Sequence, residues 1–278
     1  MDLKSLQKNW DKFGEMDPLW SILTMPDKKG NKWQIEEFFA TGMQEINIMM
    51  NFIKSLDRAV QFRRALDFGC GIGRLSQSLA HYFEEVHGID IAPSMIRLAR
   101  KYNRYSDKCI YHLNEKDNLS VFSNNSFDFI YSNITLHHME PKYIKKYLRE
   151  FVRVLEYKGL LVFHLLGEKP SEKKSEFSIV HPAIKLFAYF KEKIKNLSTK
   201  KEQVMLEEPT MEAYGIRQEK VIEFLNILGG KILFSIESNY QSINEVFGKF
   251  DEWGYIEQVF SSDPEPEWKG YWYIVTKS

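Results

Sequence analysis

Between residues 64 and 166 short apolar segments alternate with amphipathic ones, and that alternation constrains the chain more than any other feature. Residues 64–69, 86–91, 109–113, 126–132 and 159–166 read as strands. The intervals read as helices: 73–83 with Leu75, Leu79 and Phe83 on one stripe, 92–103 with Pro93 in its first turn, and 141–156 with Gly159 just beyond its end. Strands separated by helices imply a parallel sheet with right-handed crossovers. A helix over 217–228, stopped by Gly229 and Gly230, precedes two more strands, 231–237 and the aromatic 270–276. The simplest pairing of these two is antiparallel. The expectation is an α/β doubly wound, seven-stranded, mostly parallel, Rossmann-like sheet with an antiparallel last strand.

Two segments stand outside the alternation. Residues 1–60 are helical in character and carry Trp10, Trp20, Trp33, Phe38, Phe39 and Phe52, with one longer helix expected over 33–56. Residues 168–208 are rich in lysine; from Lys169 to Lys201 nine Lys face three Glu, a local charge of about +6. Within it an apolar side (Ile184, Phe187, Phe190, Ile194) and lysines elsewhere suggest an amphipathic helix over 177–197. The expected layout is one domain, 1–278: a helical cap (1–60), a ligand-binding core (61–167), a basic helical lid insertion (168–208) and a completion of the sheet (209–278).

Composition narrows the function classes. The 38 basic residues balance 38 acidic ones in 278, which argues against a protein built to grip nucleic-acid phosphates. Two cysteines make no disulfide framework, residues 1–10 mix charged with apolar residues unlike a secretory signal, and no apolar run reaches the roughly 20 residues of a membrane span. A cytoplasmic protein is expected.

The chemistry concentrates where the first strand turns into the first helix: Asp67, Gly69, Gly71, Gly73 and Arg74. In a doubly wound fold this turn lies at the carboxyl edge of the sheet, where ligands bind. A dinucleotide fingerprint needs glycine at the sixth position from Gly69, and Arg74 stands there. The pattern present, acid-x-G-x-G-x-G, places a carboxylate at the loop entrance, which repels a diphosphate and suits a ligand with an ammonium or sulfonium charge. Asp90 ends the second strand 21 residues after Gly69, and its carboxylate can accept two hydrogen bonds from a ribose diol. Together these residues describe a nucleoside with a positively charged tail.

With Asp90, residues 126–133, Leu136 to Met139 and 153–162, the glycine loop resembles the class I S-adenosylmethionine-dependent methyltransferases over about 64–166. The resemblance implies S-adenosylmethionine as cofactor. Asp67 would orient the methionine ammonium; Gly69, Gly71 and Gly73 would pass close to the methionine part and sugar; Asp90 would hold the ribose hydroxyls and Ile91 would pack on adenine. An adenine-contacting amide or acid after the third strand falls on Asn114 or Asp117. Ser132 and Asn133 would face the methionine end. The N-terminal layer resembles a bacterial subgroup in which this helix caps the cofactor, with Thr41 and Gly42 a small pair facing the methionine tail.

Methyl transfer to an alcohol needs a base, and His137 and His138 follow the fourth strand beside the expected methyl. His164, His181, Glu207, Glu208 and Tyr214 are candidates by location. No Asn-Pro-Pro-Tyr or Pro-Cys motif of nucleic-acid methylating enzymes is present, and no metal site is expected. The acceptor is expected to be a small or glycan-linked molecule, anionic in keeping with the basic insertion, methylated on oxygen. Nitrogen methylation, noncatalytic binding of the cofactor, NAD chemistry and contact of the 177–197 helix with a membrane surface are the alternatives; the oligomeric state is open.

Overall fold

The computed structural model describes residues 1–56, 60–167, 209–238 and 269–277, which belong to one compact unit of the chain. The expected lid insertion with its 177–197 helix, His181, Glu207 and Glu208, and the loop around Asp263, lie outside the described residues. The chain begins with α1 (Leu3–Met16), α2 (Pro18–Ile22) and α3 (Ile35–Ser55). Then β1 (Arg64–Phe68), α4 (Arg74–Leu79), β2 (Glu85–Asp90), α5 (Pro93–Lys101), β3 (Cys109–Leu113), β4 (Phe127–Ser132), α6 (Pro141–Val154) and β5 (Leu155–Leu166) alternate. It closes with α7 (Gln218–Ile227), β6 (Gly230–Ser238) and β7 (Gly270–Lys277).

The seven strands order as β3-β2-β1-β4-β5-β7-β6, as a doubly wound sheet requires. The first five pair in parallel, while β7 runs antiparallel to both β5 and β6. Every residue of β4 is buried, because a central parallel strand is covered on both faces. Ile46, Met49 and Ile53 of α3 with Leu75 and Leu79 of α4 pack on one face, and Ile144, Leu148 and Phe151 of α6 with Val221 and Leu225 of α7 pack on the other. Strand order reverses between β1 and β4, and that switch point opens a crevice at the carboxyl ends of both.

Element ends differ from the sequence reading. Helix α4 stops at Leu79, and α6 stops at Val154 with β5 following directly at Leu155, so Gly159 lies inside the strand and not at its start. Lys158 takes the left-handed conformation (φ 64°), and the register with β4 jumps from Phe127↔Leu155 to Phe129↔Leu160. The glycine serves this irregularity: a β-carbon at 159 would come within 3.0 Å of the carbonyl oxygens of Asp128 and Glu156.

Candidate active site

Beyond Phe68 the chain bends through Gly69, Cys70 and Gly71 before α4 starts. Gly69 (φ 77°) and Gly71 (φ 52°) occupy backbone conformations that other residues avoid. A β-carbon at 69 would stand 2.2 Å from the Thr135 side chain, and one at 71 would stand 2.6 Å from Ile22 Cδ1. Asp90 fixes this bend from the end of β2. Its Oδ2 accepts from Gly71 N–H and its Oδ1 from Ala92 N–H, both at 2.9 Å. Burial pushes the Asp90 carboxyl up, and the Ala92 and Gly71 N–H groups pull it back.

These residues border a cleft of roughly 900 Å³, solvent-open space included. Gly69, Gly71, Asp90, Ile91, Asn114, Asn133 and His138 all line it. So do Leu3, Leu6 and Trp10 of α1 and Ile22 of α2, none of them named as a site residue from the sequence, which led only to the expectation that the N-terminal layer caps the cofactor. Their signal was present as an i, i+3, i+7 apolar stripe on the first helix. Helix α1 is fastened over the crevice: Ser94 N–H donates to Asp11 Oδ1 (2.7 Å), and Gln7 Nε2 donates to the Ile91 carbonyl (3.2 Å).

The other expected site residues lie outside the cleft lining. Asp67 is buried within β1 and accepts from Ser76 Oγ at 2.6 Å. Burial pushes its carboxyl up to about 7, against the Ser76 hydrogen bond and the charge of Arg74. Gly73 (φ 86°) packs on Tyr111, whose hydroxyl would be 2.3 Å from a β-carbon there. Ser132 is buried and donates to the Phe68 carbonyl (3.1 Å). Asp117 pairs with Lys146 at the surface, so of the two adenine-side candidates the cleft takes Asn114. Thr41 and Gly42 meet Arg74: Thr41 Oγ1 accepts from Arg74 Nη1 (3.3 Å), and a β-carbon at 42 would stand 2.5 Å from the Arg74 carbonyl oxygen.

The two histidines separate. His137 is buried, its Nδ1 has no hydrogen-bond partner among the described residues, and burial with neighbouring His138 and His164 holds its pKa well below the usual imidazole value. His138 reaches the cleft. Its Nδ1 lies 2.9 Å from the Glu212 carbonyl oxygen, which can only accept, so the proton sits on Nδ1 and Nε2 keeps its lone pair. Burial lowers its pKa, which keeps the ring neutral and able to take a proton. His164 is buried in β5, pushed down to about 4, and held near Ser238 Oγ (3.1 Å). Tyr214 donates its hydroxyl hydrogen to Glu212 at the surface, beside Glu140.

A bare backbone bend, a carboxyl group at the end of the second strand and a crevice at the switch point are what a doubly wound α/β domain presents to a ligand. Residues 66–163, about a third of the chain, match the family described as methyltransferase domain. Among curated relatives, ubiquinone biosynthesis O-methyltransferase of Xanthomonas oryzae pv. oryzae is 32% identical over 110 residues, 39% of this chain and 45% of that protein. The Bordetella avium protein of the same name is 27% identical over 177 residues, 63% and 66% of the two chains. The chain thus spans under half the length of the first of these relatives. Magnesium protoporphyrin IX methyltransferase from Synechocystis, solved with bound SAH, shares the fold at TM-score 0.57, 13% identity and full coverage of both chains. A Leishmania major SAM-dependent methyltransferase superposes at TM-score 0.59 with 14% identity, over 99% of this chain and 87% of that one. No helix among the described residues is long and apolar enough to cross a membrane, and none of them form a group of three or more His, Cys, Asp or Glu suited to a metal ion.

Proposed function

We propose that the chain transfers a methyl group from S-adenosylmethionine to a hydroxyl of a small-molecule acceptor. The observation that carries this reading is the placement of Asp90, the glycine bend and His138 on one cleft. The residues fit the cofactor: Gly69 and Gly71 border the cleft with no side chains of their own, Asp90 borders the cleft to meet a ribose diol, and Ile91 offers an apolar surface to adenine. When bound, S-adenosylmethionine supplies an activated methyl carbon. The chain's own residues align the acceptor and manage its proton. His138 Nε2 takes the hydroxyl proton, with Nδ1–H anchored on the Glu212 carbonyl so that the lone pair stays on Nε2. The apolar wall of Leu3, Leu6 and Trp10 limits water near the reacting atoms.

The names of the curated relatives favour oxygen as the methylated atom. A phosphate, carboxylate or glycan phosphate on the acceptor is favoured by the lysine excess between 169 and 201. Replacing Lys191 and Lys195 by Glu is then expected to raise the acceptor KM while leaving cofactor affinity unchanged.

Activity is tested by release of S-adenosylhomocysteine when the protein and S-adenosylmethionine meet pools of small metabolites. With an acceptor in hand, His138→Ala is expected to lower kcat by about 10²–10⁴-fold, while S-adenosylhomocysteine binds as in the wild type. An unchanged kcat removes His138 from the mechanism. Cofactor binding without turnover on any pool favours a noncatalytic binding protein.

A further inference from the structure

Glu45 of α3 is buried and gathers three donors from three parts of the chain. Its Oε2 accepts from Arg74 Nη2 (2.8 Å), and its Oε1 accepts from the Tyr131 hydroxyl (2.8 Å) and from Asn133 Nδ2 (2.9 Å). Arg74 leaves the glycine bend, Tyr131 belongs to β4 and Asn133 follows it. Arg74 and Asn133 line the cleft; Glu45 and Tyr131 stand behind them. A carboxylate only accepts hydrogen bonds, so it dictates how both cleft residues are turned. With its amide nitrogen committed to Glu45, Asn133 retains its Oδ1 as a free acceptor among the described residues. With its outer nitrogens committed to Glu45 and Thr41, Arg74 retains a buried Nε–H that has no hydrogen-bond partner among the described residues. An unpaired buried guanidinium N–H is costly, and an anionic ligand group removes that cost.

We infer that Glu45 is a positioning residue that orients two cleft-lining side chains, so that Asn133 Oδ1 as acceptor and the otherwise unpaired Arg74 Nε–H as donor read the ammonium and carboxylate of an amino-acid zwitterion. This rests on the cleft being the S-adenosylmethionine site, and it assigns recognition of the cofactor's amino-acid end to a helix outside the matched family segment. A neutral amide at position 45 breaks the arrangement. It has one acceptor oxygen for three donors, and its own NH₂ favours a reversed Asn133 that turns a donor toward the ammonium.

Calorimetric titration with S-adenosylhomocysteine and with 5′-methylthioadenosine, which has the nucleoside and sulfur but no amino acid, tests the inference without turnover. The wild type is expected to prefer S-adenosylhomocysteine. Glu45→Gln is expected to weaken S-adenosylhomocysteine binding by about ten- to a hundredfold and to leave 5′-methylthioadenosine unchanged. Arg74→Lys, which keeps the cation and lacks Nε–H, is expected to show the same selective loss and carries the test should Glu45→Gln fail to fold. Equal losses for both ligands make Glu45 merely structural and overturn the inference. So does a wild type that binds the two ligands equally, an outcome that leaves the cofactor reading standing. A wild type that binds neither overturns the cofactor reading and the inference with it.

Discussion

Burial raises the Asp67 carboxyl to about 7, whereas an unfolded aspartate titrates near 4. Between those values the native protein holds a proton that the unfolded chain has released. The associated stability is therefore fully present below about pH 4 and is lost as pH rises through about 7. Arg74, Glu45 and Asp90 are the charged neighbours, and the Asn variant keeps all of them. In urea unfolding at pH 5 and pH 8, wild type is expected to lose more stability on the alkaline side than Asp67→Asn; parallel losses would contradict the assignment. Asp90→Asn is expected to act on binding. An amide has one acceptor oxygen for the two N–H groups that Asp90 now satisfies, so the Gly71 bend loosens and S-adenosylhomocysteine affinity falls about tenfold or more. Asp67 and Asp90 were legible as a pair from their spacing, yet only Asp90 borders the cleft. The difference arises because α4 places Ser76 against Asp67, a contact no spacing within the glycine motif reveals.

Among the elements, α1 and α5 depend on each other. Helix α5 starts at Pro93 without a side-chain cap of its own. Asp11 of α1 supplies one by accepting from Ser94 N–H at 2.7 Å, and capping carboxylates contribute about 1 kcal/mol. Asp11→Ala is expected to cost that amount in denaturant unfolding and to weaken S-adenosylhomocysteine binding, since it frees the helix that roofs the cleft. Gly42→Ala opposes two effects within α3. Helix propensity favours alanine by about 1 kcal/mol, but the new β-carbon would stand 2.5 Å from the Arg74 carbonyl oxygen, an overpacking worth about 1–3 kcal/mol. Net destabilisation is expected, with α3 pushed away from the glycine bend. Proline at the start of α5 and the small residue at 42 are visible in the sequence. A cap delivered from 83 positions away, and the partner that demands a glycine, are not.

For the whole molecule, any ligand that binds only the folded form stabilises it by about 2.7 kcal/mol at one hundred times its Kd. S-adenosylhomocysteine is expected to raise Tm by several degrees, and NAD to leave it unchanged. The reverse outcome would return the glycine bend to the dinucleotide binders. The doubly wound, mostly parallel sheet was legible because strands alternating with helices and a glycine bend leave few topologies open. The junction of α6 with β5 was not, because the extra residues of its irregular register look like a loop until β4 lies beside them. The sheet's last step has a consequence for how the protein is made. Strand β7, formed by residues 270–277, lies between β5 and β6, so β6 leaves the ribosome with no neighbour to join. Assembly of that side of the sheet must wait until β7 has been made. A nascent chain halted before residue 270 would carry two unsatisfied strand edges, an invitation to chaperones or to aggregation.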